Sequence, residues 1–211
     1  MQVIQKLSEE EYSKLYVTSD THFNHNKDFI FKKRGYTSPT QMTDDMIKTI
    51  NSIVDENSIL LHLGDFCLNT TAEEYNNILR KLRVKEIWML WGNHNSPIQR
   101  TWGNTRHQVC TYNGLTFVRY LDHYFTFRRG RKEFVCFHFP ISVWDGMSRG
   151  TMHLCGHSHG GLASSRPESK DSKILDCGWD IHKKPLTMRE IETIMEKKGT
   201  NSSHHDSLHS V

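Results

Sequence analysis

Residues 58–65 read Ser58-Ile59-Leu60-Leu61-His62-Leu63-Gly64-Asp65: an apolar run, broken only by His62, that stops at a glycine and then a carboxylate. A run this short and this apolar predicts a strand. The same arrangement recurs on either side. Upstream, residues 14–19 (KLYVTS) predict a strand that ends at Asp20. Downstream, residues 86–91 predict an apolar strand that ends at Gly92-Asn93-His94. Helical patterns lie between them. Met46, Ile47, Ile50, Ile53 and Val54 have helical spacing, and with Thr43 as N-cap and Asp44 and Asp45 in the first turn they predict a helix over about 43–56. Residues 71–82 predict a second helix, capped by Thr70 or Thr71, with Glu73 and Glu74 in its first turn. Strand, helix and strand in alternation argue for α/β layers.

The pattern changes further along the chain. Short strands are expected over 115–120, 124–128 and 133–137, with a hairpin turn at Arg129-Gly130. Two more are expected over 152–155 and 173–177, and a last helix over 187–197 follows Pro185. The expected fold class is therefore α/β: two packed mixed β-sheets, a β-sandwich, flanked by α-helices. Residues 1–198 are expected to form one domain. Residues 199–211, rich in Ser, Asn and His, read as a disordered tail.

Composition narrows the function classes. The 211 residues carry 27 basic and 24 acidic side chains, a net charge of +3, which is too balanced to mark a nucleic-acid binder. The basic run Arg128-Arg129-Gly130-Arg131-Lys132 reads as a solvated hairpin tip. No apolar stretch approaches the roughly 20 residues of a membrane helix, and the first residues lack the pattern of a secretory leader, so a cytoplasmic protein without a membrane partner is expected. The five cysteines are odd in number and form no CxxC pair, which argues against a disulfide framework or a zinc knuckle. Cys67 and Cys155 read as small buried hydrophobes.

Histidine is the unusual residue, at 14 of 211. Its placement carries the functional argument. Five expected strands stop in a polar cluster: Asp20-Thr21-His22, Gly64-Asp65, Gly92-Asn93-His94, Phe137-His138 and Gly156-His157-Ser158-His159. Any one of these alone is more often a turn or a surface histidine. Five in order, each directly after a strand, point to one shared site, because layered α/β folds gather their chemistry beyond the carboxyl ends of strands. In extended backbone, residues two apart point the same way, so Asp20 with His22, and His157 with His159, can chelate.

This series resembles the calcineurin-like metallophosphoesterases, whose pattern is DxH, GD, GNH[DE], H and GHxH. The resemblance covers about residues 15–194 and looks closest to small bacterial and phage members, in which the first motif continues as DxHFxH, here Asp20-Thr21-His22-Phe23-Asn24-His25. The segment 176–189, with Gly178, Asp180, Pro185 and Leu186, also resembles that subgroup. The resemblance implies two divalent metal ions. Asp20, His22 and His159 would hold one, Asn93, His138 and His157 the other, and Asp65 would bridge them. A donor set of nitrogen and oxygen without thiolate suits Mn²⁺ first, with Fe, Ni²⁺, Co²⁺ or Zn²⁺ as alternatives. His94 would serve as the catalytic acid or as a stabiliser of the transition state.

The chain departs from the family pattern at Asn95, where an acidic residue is usual, so a neighbouring carboxylate that would raise the pKa of His94 is missing there. His25 and Arg34, in the loop after the first motif, are the expected substrate contacts, and Arg149 is a weaker one. His62, His107, His123 and His182 read as structural or exposed, and His153 as packed rather than ligating. The implied activity is metal-dependent hydrolysis of a phosphate ester. Within it a phosphodiesterase on a small, nucleotide-like substrate is preferred, because a compact chain with no added capping domain leaves an open site, and no obligatory protein partner is expected. A phosphomonoesterase or a nuclease on the same site are the near alternatives, and a non-catalytic scaffold the distant one.

Overall fold

A computed structural model of the protein describes residues 4–68, 70–94, 106–111 and 114–199, with side chains left aside over 106–111 and 114–115. In chain order the elements are β1 (Gln5–Lys6), α1 (Glu9–Ser13), β2 (Leu15–Thr18), α2 (Asp28–Phe31), α3 (Pro39–Asn51), β3 (Ile59–His62), α4 (Ala72–Lys81), β4 (Glu86–Met89), β5 (Arg106–Thr111) and β6 (Gly114–Tyr120). They continue with β7 (Tyr124–Arg129), β8 (Lys132–Phe137), β9 (Met152–Cys155), α5 (Leu162–Ser165), β10 (Ile174–Asp176), α6 (Trp179–His182), β11 (Leu186–Thr187) and α7 (Met188–Glu196).

Two sheets form, as the sequence predicts. One has the strand order β11-β2-β3-β4-β6-β5, the other β1-β7-β8-β9-β10. Both are mixed. In the first, β2, β3, β4 and β6 run parallel; in the second, β8, β9 and β10 do. Parallel runs put several carboxyl ends at one edge, and that is what brings the five clusters together.

Strand periodicity builds two cores from one sheet. Leu15, Val17, Ile59, Leu61, Leu63 and Trp88 face the second sheet and meet Phe127, Phe134, Cys136 and Leu154. Leu60, Ile87, Met89 and Val118 face outward, onto Met42, Met46 and Ile50 of α3 and Ile78 and Leu79 of α4. A strand with both faces covered must be apolar at every position, which is why residues 58–63 show no alternation. No helix among the described residues is long and apolar enough to cross a membrane.

Several local expectations shift. Helix α3 starts at Pro39, not Thr43: Ser38 accepts the Gln41 N–H, and proline at the first helical position needs no donor. Thr43 lies inside the helix, buried, and its hydroxyl accepts the Asn24 N–H at 2.9 Å. The helix also stops at Asn51, short of residue 56. Thr71 and Thr187 cap α4 and α7, each in a reciprocal pair with a glutamate three residues on. The hairpin at Gly130 forms as predicted, and its arginines and Lys132 pair with Glu9, Glu133 and Glu192. The sequence reading missed β5 and the two-residue strands β1 and β11, which owe their existence to a neighbour and not to a pattern of their own. The tail over 200–211 lies outside the described residues.

Candidate metal centre

The loops leaving β2, β3, β4, β8 and β9 converge on one point. Ligating atoms of Asp20, His22 and His159 all lie within 4.8 Å of one another, and so do those of Asp20, Asp65 and His138. Asp65 is central. Its Oδ2 is 3.4 Å from His138 Nε2, 3.7 Å from His22 Nε2 and 3.9 Å from His94 Nε2, while its Oδ1 accepts the His94 N–H at 2.9 Å. Asn93 Oδ1 lies 3.0 Å from His138 Nε2 and 3.1 Å from His157 Nδ1. Every residue that the resemblance names as a ligand, and His94 with them, is therefore brought to one cluster.

The backbone is bent hard to do this. Asp20, His22, Asn24, Asp65, His157 and His159 all have φ between 46° and 67°. Such a conformation strains a residue with a side chain, and its concentration here marks a functional site. Two glycines permit the close approach. A Cβ on Gly92 would sit 2.1 Å from Asp65 Oδ1, and one on Gly156 would sit 2.1 Å from Ser19 Oγ and 2.3 Å from Asp20 Oδ2. The turn after β9 is pinned by Asp176, which accepts from Ser158 Oγ at 2.9 Å and from the Gly160 N–H. The turn after β2 is pinned by His62: the Gly64 N–H donates to its Nδ1, its Nε2–H to Thr21 Oγ1 at 3.0 Å, and the Thr21 hydroxyl to Phe66 O. His62 is thus structural, as its sequence context suggests. His153 is too, buried against Trp144 and bonded to Val135 O.

The electrostatics call for a cation. Asp20 Oδ1 and both ring nitrogens of His22 are buried without a hydrogen-bond partner, an arrangement that costs about 1–3 kcal/mol per group if nothing binds them. His138 bonds Leu63 O through Nδ1 at 3.0 Å, and its Nε2 donates toward Asn93 Oδ1 at 3.0 Å and Asp65 Oδ2 at 3.4 Å, a proton that an entering ion would replace. The unpartnered atoms of Asp20 and His22, with these oxygens beside them, fit a metal ion. Burial pushes the Asp20 carboxyl up to about 6 despite the neighbouring His138 and His159. Burial also pushes His22 far below the ordinary histidine range, leaving a neutral ring with lone pairs to give. Burial opposes ionisation of Asp65, but the hydrogen bond and charge of His138 outweigh it and hold the carboxylate low.

The expected substrate contacts separate. His25 lies by the cluster, its ring 5.6 Å from that of His22, and burial lowers its pKa. Arg34 is turned inward. Its side chain is 2% exposed and its guanidinium is spent on Asp180 and on the carbonyls of Asp20 and Thr21. The half-buried carboxylate of Asp180 draws it inward, a pairing that sequence spacing does not reveal. Arg149 precedes β9, at the strand end opposite His157, and pairs with Asp145. Position 95 lies outside the described residues. Cys67, Cys136, Cys155 and Cys177 are buried free thiols, consistent with the reading of Cys67 and Cys155 as small hydrophobes.

Comparison with known proteins agrees with this geometry. The sequence profile of the calcineurin-like phosphoesterases matches residues 13–161. Over 105 residues the chain is 31% identical to an uncharacterized protein of Methanocaldococcus jannaschii, a match that covers 50% of this chain and 56% of that protein. The chain thus spans little more than half the length of that relative. The crystal structure of a protein of unknown function from Aquifex aeolicus superposes with a TM-score of 0.60 at 17% identity, covering 85% of this chain and 98% of the other. That likeness speaks for the fold.

Proposed function

The chain belongs to the calcineurin-like phosphoesterase family, and on that premise we propose that it is a dinuclear-metal phosphodiesterase acting on a small, nucleotide-like substrate. The observation that carries the reading is the position of Asp65, whose Oδ2 lies 3.7 Å from His22 Nε2 and 3.4 Å from His138 Nε2. Asp20, His22 and His159 would hold one divalent ion and Asn93, His138 and His157 the second, with Asp65 shared between them. Mn²⁺ is the expected metal, since the donors are imidazole, carboxylate and amide oxygen. Bound ions of this kind supply Lewis acidity and a water acidic enough to act as nucleophile near neutral pH.

The chain's own residues do the rest. His94 enters from the solvent side, its side chain 41% exposed and its Nε2 3.9 Å from Asp65 Oδ2. From there it gives a proton to the leaving oxygen. The Asp65 carboxylate, anchored by the His94 N–H, keeps that ring over the site. Phe29 is 67% exposed and sets its ring edge against His25, 5.7 Å between centroids, which offers a flat apolar surface beside the cluster to a nucleoside. With Arg34 turned inward, one cation that a dianionic monoester would call on is gone, which favours a monoanionic diester. The test compares bis-p-nitrophenyl phosphate with p-nitrophenyl phosphate, using metal-stripped protein with and without Mn²⁺. Diester turnover should exceed monoester turnover and vanish on stripping. Faster monoester turnover makes it a monoesterase, and no turnover with Mn, Fe, Ni, Co or Zn rejects the assignment.

A further inference from the structure

We propose that Asp180 is a positioning residue for the first metal seat, holding His159 in the tautomer that ligates, with Arg34 as the clamp that fixes Asp180. The inference rests on the reading of His159 as a metal ligand, given above. Asp180 lies beyond the family match, which ends at residue 161, in the first turn of α6. Its Oδ2 accepts from His159 Nδ1 at 2.6 Å. A neutral imidazole carries one N–H, so an acceptor on Nδ1 leaves the lone pair on Nε2. That nitrogen points at the cluster, 4.0 Å from Asp20 Oδ1, and the ring stacks on His22 at 5.1 Å.

Arg34 grips the same carboxylate with two parallel bonds, Nε to Oδ1 at 2.8 Å and Nη2 to Oδ2 at 2.9 Å. The fork geometry fixes both position and plane. The remaining donors reach the backbone of the first motif: Nη2 to Asp20 O at 2.8 Å and Nη1 to Thr21 O at 2.7 Å. Asp20 is one of the residues held at positive φ. A single buried guanidinium therefore ties down the strained backbone that carries Asp20 and, through Asp180, the ring of His159. Two of the three ligands of the seat are set by one clamp. The bridge Ser19↔Gly178 and the bond from Trp179 N–H to Ser19 O at 2.9 Å bring the two chain segments together. Lys183 adds a second cation on the outer side of Asp180, at 3.7 Å.

The test uses metal-free protein with ¹⁵N-labelled histidine and long-range ¹H–¹⁵N correlation spectra at mildly alkaline pH, the His159 signals being identified by their loss in His159→Gln. Wild type should show His159 with the proton on Nδ1. Asp180→Asn, which can donate as well as accept, should give a mixture of tautomers. In parallel, calorimetric titration with Mn²⁺ should show affinity lower by roughly 10–100-fold in Asp180→Asn. If Asp180→Asn does not fold because Arg34 is left uncompensated, the double variant Arg34→Met/Asp180→Asn removes both charges together and takes its place. An affinity loss with the tautomer unchanged, or no change in either, overturns the proposal. A wild type locked in the Nδ1–H tautomer that takes up no Mn²⁺ upholds the positioning role and instead overturns the metal reading.

Discussion

The two halves of the cluster are built on different physics. On one side, Asp20 Oδ1 and the nitrogens of His22 have no hydrogen-bond partner, and Arg34 and Asp180 hold the Asp20 backbone and the His159 ring from behind. On the other, Asn93 Oδ1 sits at hydrogen-bond distance from His138 and His157. The first half is pre-organised and strained, so an ion entering it relieves unsatisfied buried atoms. The second half must give up contacts among its own members before an ion can enter. Polar atoms buried without partners signal a binding role better than residue type does, since both halves are equally rich in histidine.

The harshest break of this comparison is at Asp65, the group both halves share. Asp65→Asn should bring diester hydrolysis to the background of stripped protein and lower the bound metal measured by atomic absorption, because a neutral amide holds two dications poorly. Near-normal turnover at saturating metal would remove the shared bridge. Next comes His94, which belongs to neither half as a ligand. His94→Ala should keep both ions and lose activity by roughly 10²–10⁴-fold, more for alkyl than for aryl esters because an alkoxide needs the proton more. Equal loss on both ester types would leave His94 a charge stabiliser only.

How much of this could be read in the sequence depends on what fixed each feature. The strands 58–63 and 86–91 announce themselves because both their faces are covered, and the five ligand clusters because they sit at strand ends. The start of α3 was misplaced because two signals competed. Thr43 looks like a cap, yet Ser38 followed by Pro39 caps better, and the Thr43 hydroxyl is used by Asn24 instead. The sequence leaves Arg34 without its partner because Asp180 lies 146 residues away, and only the fold shows the pair. Asp180 stood in the subgroup pattern, but nothing in its spacing names His159 as its partner. Asp176, which pins the turn of the last motif, opens the segment that resembles the subgroup, but nothing in the sequence ties it to Ser158.

Smaller effects sharpen the contrast. His153 lies in neither half and tests whether acid sensitivity comes from the fold. Burial lowers its pKa from 6.5 to about 4. The unfolded chain then binds the proton first, so stability is complete above pH 6.5 and is lost as pH falls toward 4. Denaturant melts should show wild type losing about 2–3 kcal/mol more than His153→Gln between pH 7 and about 4.5. Equal losses would assign the acid sensitivity elsewhere. Smaller still is the difference between halves in chelator-treated protein. His22→Leu should leave stability unchanged or raise it by about 1 kcal/mol, since it removes unpartnered nitrogens, whereas His138→Leu should lower it by about 1–2 kcal/mol by stranding Leu63 O. Equal effects would erase the distinction between pre-organised and self-satisfied halves.

The central claim is that two ions share Asp65, and electron paramagnetic resonance of Mn²⁺ added stepwise to stripped protein tests it most directly. The signal of isolated Mn²⁺ should appear with the first equivalent, as the pre-organised half fills. It should give way to an exchange-coupled signal with the second, and the coupled signal should be absent in Asp65→Asn. An isolated-ion signal that persists through both equivalents in wild type would contradict the account.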